Sequence, residues 1–177
     1  MKLHELIRKL PEKHERKIGF YYASELYAII KGYLTPENFF KKKEINDTGI
    51  ENIFWGEALE AYFGKCCEWH NIDAKPQERY ELKVNDDIMI TVKPDFVFPD
   101  YAIEWKCPVK PLNEIPDRYF PQLEAEYQAV KKPLYLGVFQ RPITFFLYEP
   151  SEERWEQIKN EVIKFHNRLI KLNNKYG

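Results

Sequence analysis

The spacing of apolar residues along the chain changes from a helical period to a strand period near residue 80. Before that point, apolar side chains recur every three or four residues, which is typical of amphipathic helices. Pro11, Gly32 and Gly64 follow three of these stretches and are expected to end them. The predicted helices cover residues 3–10, residues 23–31, a short stretch that begins at Thr35–Pro36, and residues 48–63.

Beyond residue 79, apolar and polar residues alternate as they do in half-buried strands. The predicted strands cover residues 80–84, 88–98, 102–107, 134–139 and 143–148. A helix from about Pro121 to Val130 separates the third strand from the fourth, and Ser151 caps a last amphipathic helix. We therefore expect an α+β fold with α/β/α layers, in which helices flank a central mixed sheet.

Length and composition favour one intracellular domain. A chain of 177 residues is long enough for a single domain with a substantial core, with residues 1–47 as a helical N-terminal part and residues 48–177 as the main body. The 27 Lys and Arg residues balance 28 Asp and Glu residues, so any site for a polyanion must be local. No run of 18 apolar residues occurs, so a membrane is not an expected partner. The three cysteines favour a reducing, cytoplasmic location.

Three charged residues interrupt the apolar strands in the middle of the chain. A turn at Pro99–Asp100 would pair the strands on either side of it and place Asp95 opposite Glu104. Directly opposed residues point to the same face with Cβ atoms about 4.5–5.5 Å apart. Lys106 lies two residues beyond Glu104 and therefore points to that face too. Two carboxylates so close repel each other unless a cation lies between them, and Mg²⁺ or Mn²⁺ prefers such oxygen ligands.

Two alternatives to a cation site stay open. Pro94 removes a donor from the strand ladder, and a bulge there would shift the register by one residue. The three charges could also form an ordinary salt bridge on a solvent-facing edge of the sheet. Strongly apolar neighbours on both strands favour a site at the border of the core instead: Phe96, Val97, Phe98, Ala102, Ile103 and Trp105.

The order of these motifs resembles the PD-(D/E)XK nuclease superfamily, and in particular its RecB-like branch, which includes CRISPR-associated exonucleases. The residues that carry the resemblance are Gly56 and Glu60 in a helix, Pro94–Asp95 after a hairpin, Glu104–Trp105–Lys106 nine residues later, and Gln122 in a further helix. The resemblance covers roughly residues 20–170 in the order of elements. It implies a restriction-endonuclease-like core, with residues 1–177 as a single nuclease domain that hydrolyses DNA phosphodiester bonds with the help of a metal.

The resemblance implies a metal site built from three parts of the chain. Asp95, Glu104 and the backbone carbonyl of Trp105 would bind Mg²⁺ or Mn²⁺, and Glu60 would be a further ligand, directly or through water. A glycine in mid-helix costs about 1 kcal/mol relative to alanine, so Gly56 indicates the close approach of another backbone near Glu60. A Glu60 side chain that simply faces solvent is the alternative.

Lys106 and Gln122 would act on the reacting groups. By the same resemblance, Lys106 would orient the attacking water and offset the charge that develops on the phosphate. Gln122 would position the water, Lys106 or the phosphate. The residue four positions after Gln122 is Glu126, where the RecB-like branch has tyrosine, and the tyrosine of this chain is Tyr127. No iron–sulfur cluster is expected, because the cysteines present are only Cys66, Cys67 and Cys107.

Local basic stretches are the candidate contacts to DNA, with single-stranded or double-stranded ends as the expected partner. These stretches are Lys41, Lys42 and Lys43, then Lys131 and Lys132 at the end of the Gln122 helix, and Arg168, Lys171 and Lys175 on the last helix. Tyr127 is a further candidate, although its place on one helical stripe with Leu123 and Val130 favours the core. An ordinary solvated surface is the alternative for each basic stretch.

Together these features predict a RecB-like exonuclease that acts in DNA recombination, repair or processing. A structure-specific or restriction-type endonuclease of the same fold is the first alternative, and a non-catalytic DNA-binding module is the second. The sequence leaves open the direction of cutting and whether the chain forms a homo-oligomer.

Overall fold

A computed structural model describes residues 16–41 and 47–176 of the chain. Its helices and strands form the α+β architecture that the alternating pattern predicts, with helices flanking mixed sheets. The expected helix at residues 3–10 lies outside the described residues, as do Lys42 and Lys43. Among the residues that are described, no helix is both long and apolar enough to cross a membrane.

The strands form two mixed sheets rather than the single sheet that we expected. The smaller sheet has the order β1-β4-β3, with β1 at Phe20–Tyr22, β4 at Met89–Val92 and β3 at Tyr80–Lys83. The larger sheet has the order β2-β5-β6-β7-β8, with β2 at Lys75–Pro76, β5 at Phe96–Val97, β6 at Ala102–Lys106, β7 at Leu134–Val138 and β8 at Thr144–Leu147. In the larger sheet, β6 pairs antiparallel with β5 and parallel with β7.

The described residues form four α-helices around these sheets. They are α1 at Leu26–Ile30, α2 at Asp47–Trp69, α3 at Phe120–Val130 and α4 at Glu152–Tyr176. A short 3₁₀ turn at Ala23–Glu25 leads into α1, and another at Asp117–Tyr119 leads into α3. Helices α2 and α3 contribute to different core clusters, which lie on opposite faces of the larger sheet.

Strand β6 is buried on both of its faces. On one face Trp105 packs against Phe63 of α2, with 4.9 Å between the ring centroids. On the other face Ala102 packs in a cluster with Leu123 of α3. Because side chains alternate along a strand, Glu104 shares the face of Ala102, and it is only 3% exposed. The fold therefore removes one carboxylate almost completely from water.

The predicted strand at residues 88–98 is wrong, because the structure has two strands there that belong to different sheets. Strand β4 ends at Val92, β5 begins at Phe96, and Pro94 lies between them. Proline has no N–H to donate to a ladder, so the chain leaves one sheet at this point and enters the other. Strands β1 and β2 have three and two residues, too few for an alternating pattern to reveal them.

One predicted helix boundary and one predicted helix also differ from the structure. Helix α2 continues through Gly64 to Trp69. A Cβ on Gly64 would make an ordinary van der Waals contact with the ring of Phe96 at 3.6 Å, so this glycine faces a neighbouring side chain within the helix and does not end it. Residues 36–40 form turns instead of a helix, and the side chain of Asn38 accepts a hydrogen bond from the N–H of Thr35 at 2.8 Å.

The close approach that the sequence predicts at Gly56 occurs at Gly137 instead. A Cβ on Gly56 would meet no atom within 4 Å, so the expected close approach of another backbone there is wrong. A Cβ on Gly137 in β7, in contrast, would lie 2.5 Å from the ring of Trp105. That ring is stacked on Phe139 with 4.1 Å between centroids, and it also contacts Phe63. Close packing therefore requires a glycine at residue 137 and not at residue 56.

We expect Gly137→Ala to lower the free energy of unfolding by about 1–3 kcal/mol, because the added methyl group would displace a buried indole ring. Gly56→Ala is the matched control, since its methyl group enters open space on a helix where alanine is favoured over glycine by about 1 kcal/mol. Urea unfolding of both variants measures the difference. A Gly137→Ala protein as stable as the wild type would contradict the close packing of β7 against Trp105.

Candidate active site

Glu104 is the buried centre of a cluster of acidic side chains. Its Oε1 atom accepts hydrogen bonds from Lys106 Nζ and from Gln122 Nε2, each at 2.5 Å. Its Oε2 atom is buried and has no hydrogen-bond partner among the described residues. A buried carboxylate oxygen without a hydrogen-bond partner lowers the stability of the native state, and packing alone does not account for it.

Asp95 reaches the same place from the residue just before β5. The pairing of Phe96 with Ile103 and of Val97 with Ala102 confirms the predicted register of the two strands. Asp95 Oδ2 accepts a hydrogen bond from the backbone N–H of Trp105 at 2.7 Å. The N–H and C=O groups of one strand residue point to the same side, so the carbonyl of Trp105 also faces the side of Asp95, just before β5 begins.

Glu60 brings a third carboxylate from α2. Burial, and next the charge of Glu104, raise the pKa of Glu60 to about 7. Burial, followed by the charges of Glu104 and Glu60, raises the pKa of Asp95 to about 9. These shifts show that the three carboxylates lie close enough to repel one another when they are ionised.

Lys106 supplies the positive charge next to this cluster. Burial alone would lower the pKa of Lys106, but the charge and the hydrogen bond of Glu104 raise it above its ordinary value overall. The ammonium therefore stays protonated beside the carboxylate. Its Nζ atom also lies 5.8 Å from the ring centroid of Tyr119, which leads into α3.

Gln122 links Glu104 to a second buried acid that the sequence analysis did not assign to the site. Gln122 Nε2 donates to Glu104 Oε1 at 2.5 Å and to Glu126 Oε1 at 2.8 Å. Glu126 has no exposed surface, and burial, followed by the charge of Glu104, raises its pKa well above the ordinary value. The sequence places Glu126 one helical turn after Gln122, but only the structure shows that this part of the helix is buried.

The chemistry of the cluster fits a divalent cation. Hard cations such as Mg²⁺ and Mn²⁺ prefer carboxylate oxygens, and a bound cation would turn the repulsion between Asp95, Glu104 and Glu60 into attraction. The buried Oε2 atom of Glu104 would also gain a partner. Within residues 16–41 and 47–176, no three His, Cys, Asp or Glu side chains already stand as a preformed metal site.

The predicted lysine contacts to DNA have different surroundings in the structure. Lys41 is exposed. Lys131 Nζ donates to the side chain of Gln128 and lies 5.6 Å from the ring centroid of Tyr127. Lys132 Nζ donates to the backbone carbonyl of Phe98 at 2.9 Å and so joins the end of α3 to the turn after β5.

Tyr127 is partly buried and packs against the core cluster of the larger sheet, which agrees with its place on the apolar stripe of α3. The candidates on the last helix line a surface cavity of about 400 Å³ at the end of α4, together with Thr35 and Glu37: they are Arg168, Lys171 and Lys175. A contact with DNA remains a prediction for all of these residues.

Comparison with known proteins identifies the fold. No family model matches the chain, and no curated protein matches it. The crystal structure of SSO0001 has a TM-score of 0.69 and 16% identity, covering 98% of this chain and 88% of that chain. The complex of the exonuclease LHK-Exo with dAMP has a TM-score of 0.62 and 14% identity, covering 89% of this chain and 93% of that chain. The same protein without dAMP is described as an alkaline exonuclease from Laribacter hongkongensis.

A phage-related exonuclease from Haemophilus somnus 129PT is a further structural neighbour. Its TM-score is 0.59 at 15% identity, and the match covers 89% of this chain and 96% of that chain. At such low identities the likeness is one of fold. The chain therefore has a fold that is also found in exonucleases, and the role of each side chain must be argued from the site itself.

The raised pKa values of Glu60 and Asp95 predict that the metal-free protein loses stability as the pH rises. A carboxyl group with a pKa raised by folding stabilises the native state below its unfolded pKa, and this stabilisation is lost as the pH rises through the folded pKa. The loss extends from 4.5 to about 7 for Glu60 and from 3.8 to about 9 for Asp95. We expect the Tm in EDTA to fall across this range.

Glu60→Gln should make that fall shallower below about pH 7, because the variant has no carboxyl group to ionise at this position. Glu51→Gln, at an exposed position of the same helix, is the control and should follow the wild type. Thermal unfolding in EDTA from about pH 5 to pH 8 measures both slopes. Identical slopes for the wild type and Glu60→Gln would contradict the proximity of Glu60 to the buried acids.

Proposed function

We propose that the chain is a Mg²⁺- or Mn²⁺-dependent deoxyribonuclease, a RecB-like exonuclease of the PD-(D/E)XK type that acts in DNA recombination, repair or processing. The observation that carries the proposal is the convergence of Asp95, Glu104 and Lys106 at one end of the paired strands β5 and β6. The fold supports it, because two structural neighbours are exonucleases and one of those structures contains dAMP.

The metal would be held by Asp95, Glu104 and the carbonyl of Trp105, with Glu60 as a further ligand, directly or through water. When bound, such an ion lowers the pKa of a coordinated water and polarises the phosphate. Glu104 would bind it from within β6, and Asp95 would bind it from the residue just before β5, held there by its hydrogen bond to the N–H of Trp105. Glu60 would approach from α2, the helix that packs against β6 from the side of Trp105.

Lys106 would orient the attacking water and offset the negative charge that develops on the phosphate in the transition state. The hydrogen bond to Glu104 fixes the ammonium beside the carboxylate that would hold the ion. Gln122 would hold the same Oε1 atom of Glu104 through its amide N–H group and leave Oε2 available to the ion. The products, by analogy with the family, would carry 5′-phosphate and 3′-hydroxyl ends.

We expect the wild type to degrade labelled linear DNA in Mg²⁺ or Mn²⁺ and not in EDTA. Asp95→Asn, Glu104→Gln and Lys106→Ala should each lower the rate by about 10²-fold or more, because each removes a charge that the reaction needs. Lys83→Ala is the control, since Lys83 pairs with Asp86 at the surface of the smaller sheet. Thermal unfolding in EDTA shows whether each variant is folded. A folded Glu104→Gln protein that degrades DNA at the wild-type rate would contradict the catalytic proposal.

A requirement for free DNA ends distinguishes an exonuclease from the alternative activities. An exonuclease degrades linear DNA and leaves closed circles intact, so we expect circular single-stranded and double-stranded DNA to survive under conditions that consume linear DNA. Gel analysis of both forms makes the comparison. Cleavage of circles would favour an endonuclease of the same fold instead, and binding without any cleavage would favour a DNA-binding module.

A further inference from the structure

Helix α3 carries two glutamates without exposed surface, Glu124 and Glu126, and their surroundings differ. Glu124 is fully partnered: its Oε1 accepts from Gln128 Nε2 at 3.0 Å, and its Oε2 accepts from the Tyr148 hydroxyl at 2.5 Å and from the N–H of Ser151 at 2.9 Å. Oε2 thus joins α3 to the segment that leads into α4, and Oε1 is paired within α3. Glu124 has the contacts of a structural residue.

Only one of the two carboxylate oxygens of Glu126 has a hydrogen-bond partner among the described residues. Its Oε1 accepts one hydrogen bond, from Gln122 Nε2 at 2.8 Å. Its Oε2 is buried and has no partner in the part of the chain that the structure describes. A buried carboxyl group with an unpaired oxygen lowers stability, and an apolar side chain of the same size would avoid that cost. Packing therefore does not explain an acid at this position.

The hydrogen bonds of Gln122 indicate what this acid does. The Nε2 group has two hydrogens, and one goes to Glu104 and the other to Glu126. Because both neighbours are acceptors, the amide cannot turn over and present its oxygen without losing both bonds. Without Glu126 only one bond would oppose that rotation, and the N–H group would no longer be fixed toward Glu104.

We propose that Glu126 is a positioning residue of the active site, which acts through Gln122 to hold the carboxylate of Glu104 in the orientation that metal binding and cleavage need. This inference rests on the proposed function. It separates the two buried acids of α3 by role: Glu124 holds the fold together, and Glu126 orders the site.

The decisive comparison is Glu126→Met against Glu124→Met, two replacements of a buried glutamate by an apolar side chain of similar size. Glu126→Met should unfold at a Tm equal to or above that of the wild type, because it removes an unpaired buried carboxyl group. Its turnover and its affinity for Mn²⁺, measured by calorimetry without DNA, should each fall by about 10–100-fold. Glu124→Met should have a lower Tm but the turnover and Mn²⁺ affinity of the wild type once folded. Glu126→Gln, whose carbonyl can still accept from Gln122, should retain more activity than Glu126→Met.

A double-mutant cycle tests whether Glu126 acts through Gln122. If it does, adding Glu126→Met to Gln122→Ala lowers turnover no further. The inference would be overturned if the two substitutions lowered turnover by the product of their separate effects. It would also be overturned if Glu126→Met had wild-type turnover and Mn²⁺ affinity. Neither result would contradict the proposed nuclease function. A wild type that neither binds Mn²⁺ nor cuts DNA would overturn the proposed function itself, and with it the inference.

Discussion

Strand β6 is packed on both faces, and it nevertheless carries a carboxylate, that of Glu104, which is 3% exposed. Removing an ionised carboxylate from water is costly unless hydrogen bonds and an opposite charge replace the lost solvation. A residue two positions along a strand lies about 6.6 Å away on the same face, within reach of a lysine side chain. Lys106 meets that need from within β6, and Gln122 meets it from α3. The hydrogen bond from Gln122 therefore requires α3 to lie beside the charge of Glu104.

The opposite face of β6 holds the strand in place. Trp105 lies between Phe63 of α2 and Phe139, and its ring covers Gly137, where no side chain fits. Successive residues of β6 therefore differ in their surroundings, since Trp105 anchors the strand while Glu104 and Lys106 belong to the candidate site. Functional groups on a strand that is packed so closely on its reverse face have little freedom to move, which favours the fixed geometry that catalysis requires.

The sequence predicted the parts of this site that depend on short-range geometry. The register of Asp95 against Glu104 followed from a turn and the two-residue period of strands, both of which are local. The division into two sheets could not be predicted, because Pro94 shows that a ladder is interrupted and not where the chain goes next. Gly56 shows the same limit, since a glycine that packs against a neighbour and one that faces open space look alike in sequence.

Glu126 could not be predicted for a different reason. A glutamate in a helix faces solvent more often than the core, and nothing in the local pattern distinguishes Glu124, with its full set of partners, from Glu126, with an unpaired oxygen. Only the long-range packing of α3 against β6 shows that both are buried and that one of them joins the acidic cluster. Such a cluster opposes folding while it is empty of cations, because its carboxylates repel each other in a medium with few compensating charges. A cation that binds there relieves the repulsion and stabilises the native state by the same interaction, so that metal affinity and stability are linked through the same residues. The instability of the empty site and the cation affinity that we propose for it would therefore have one physical origin.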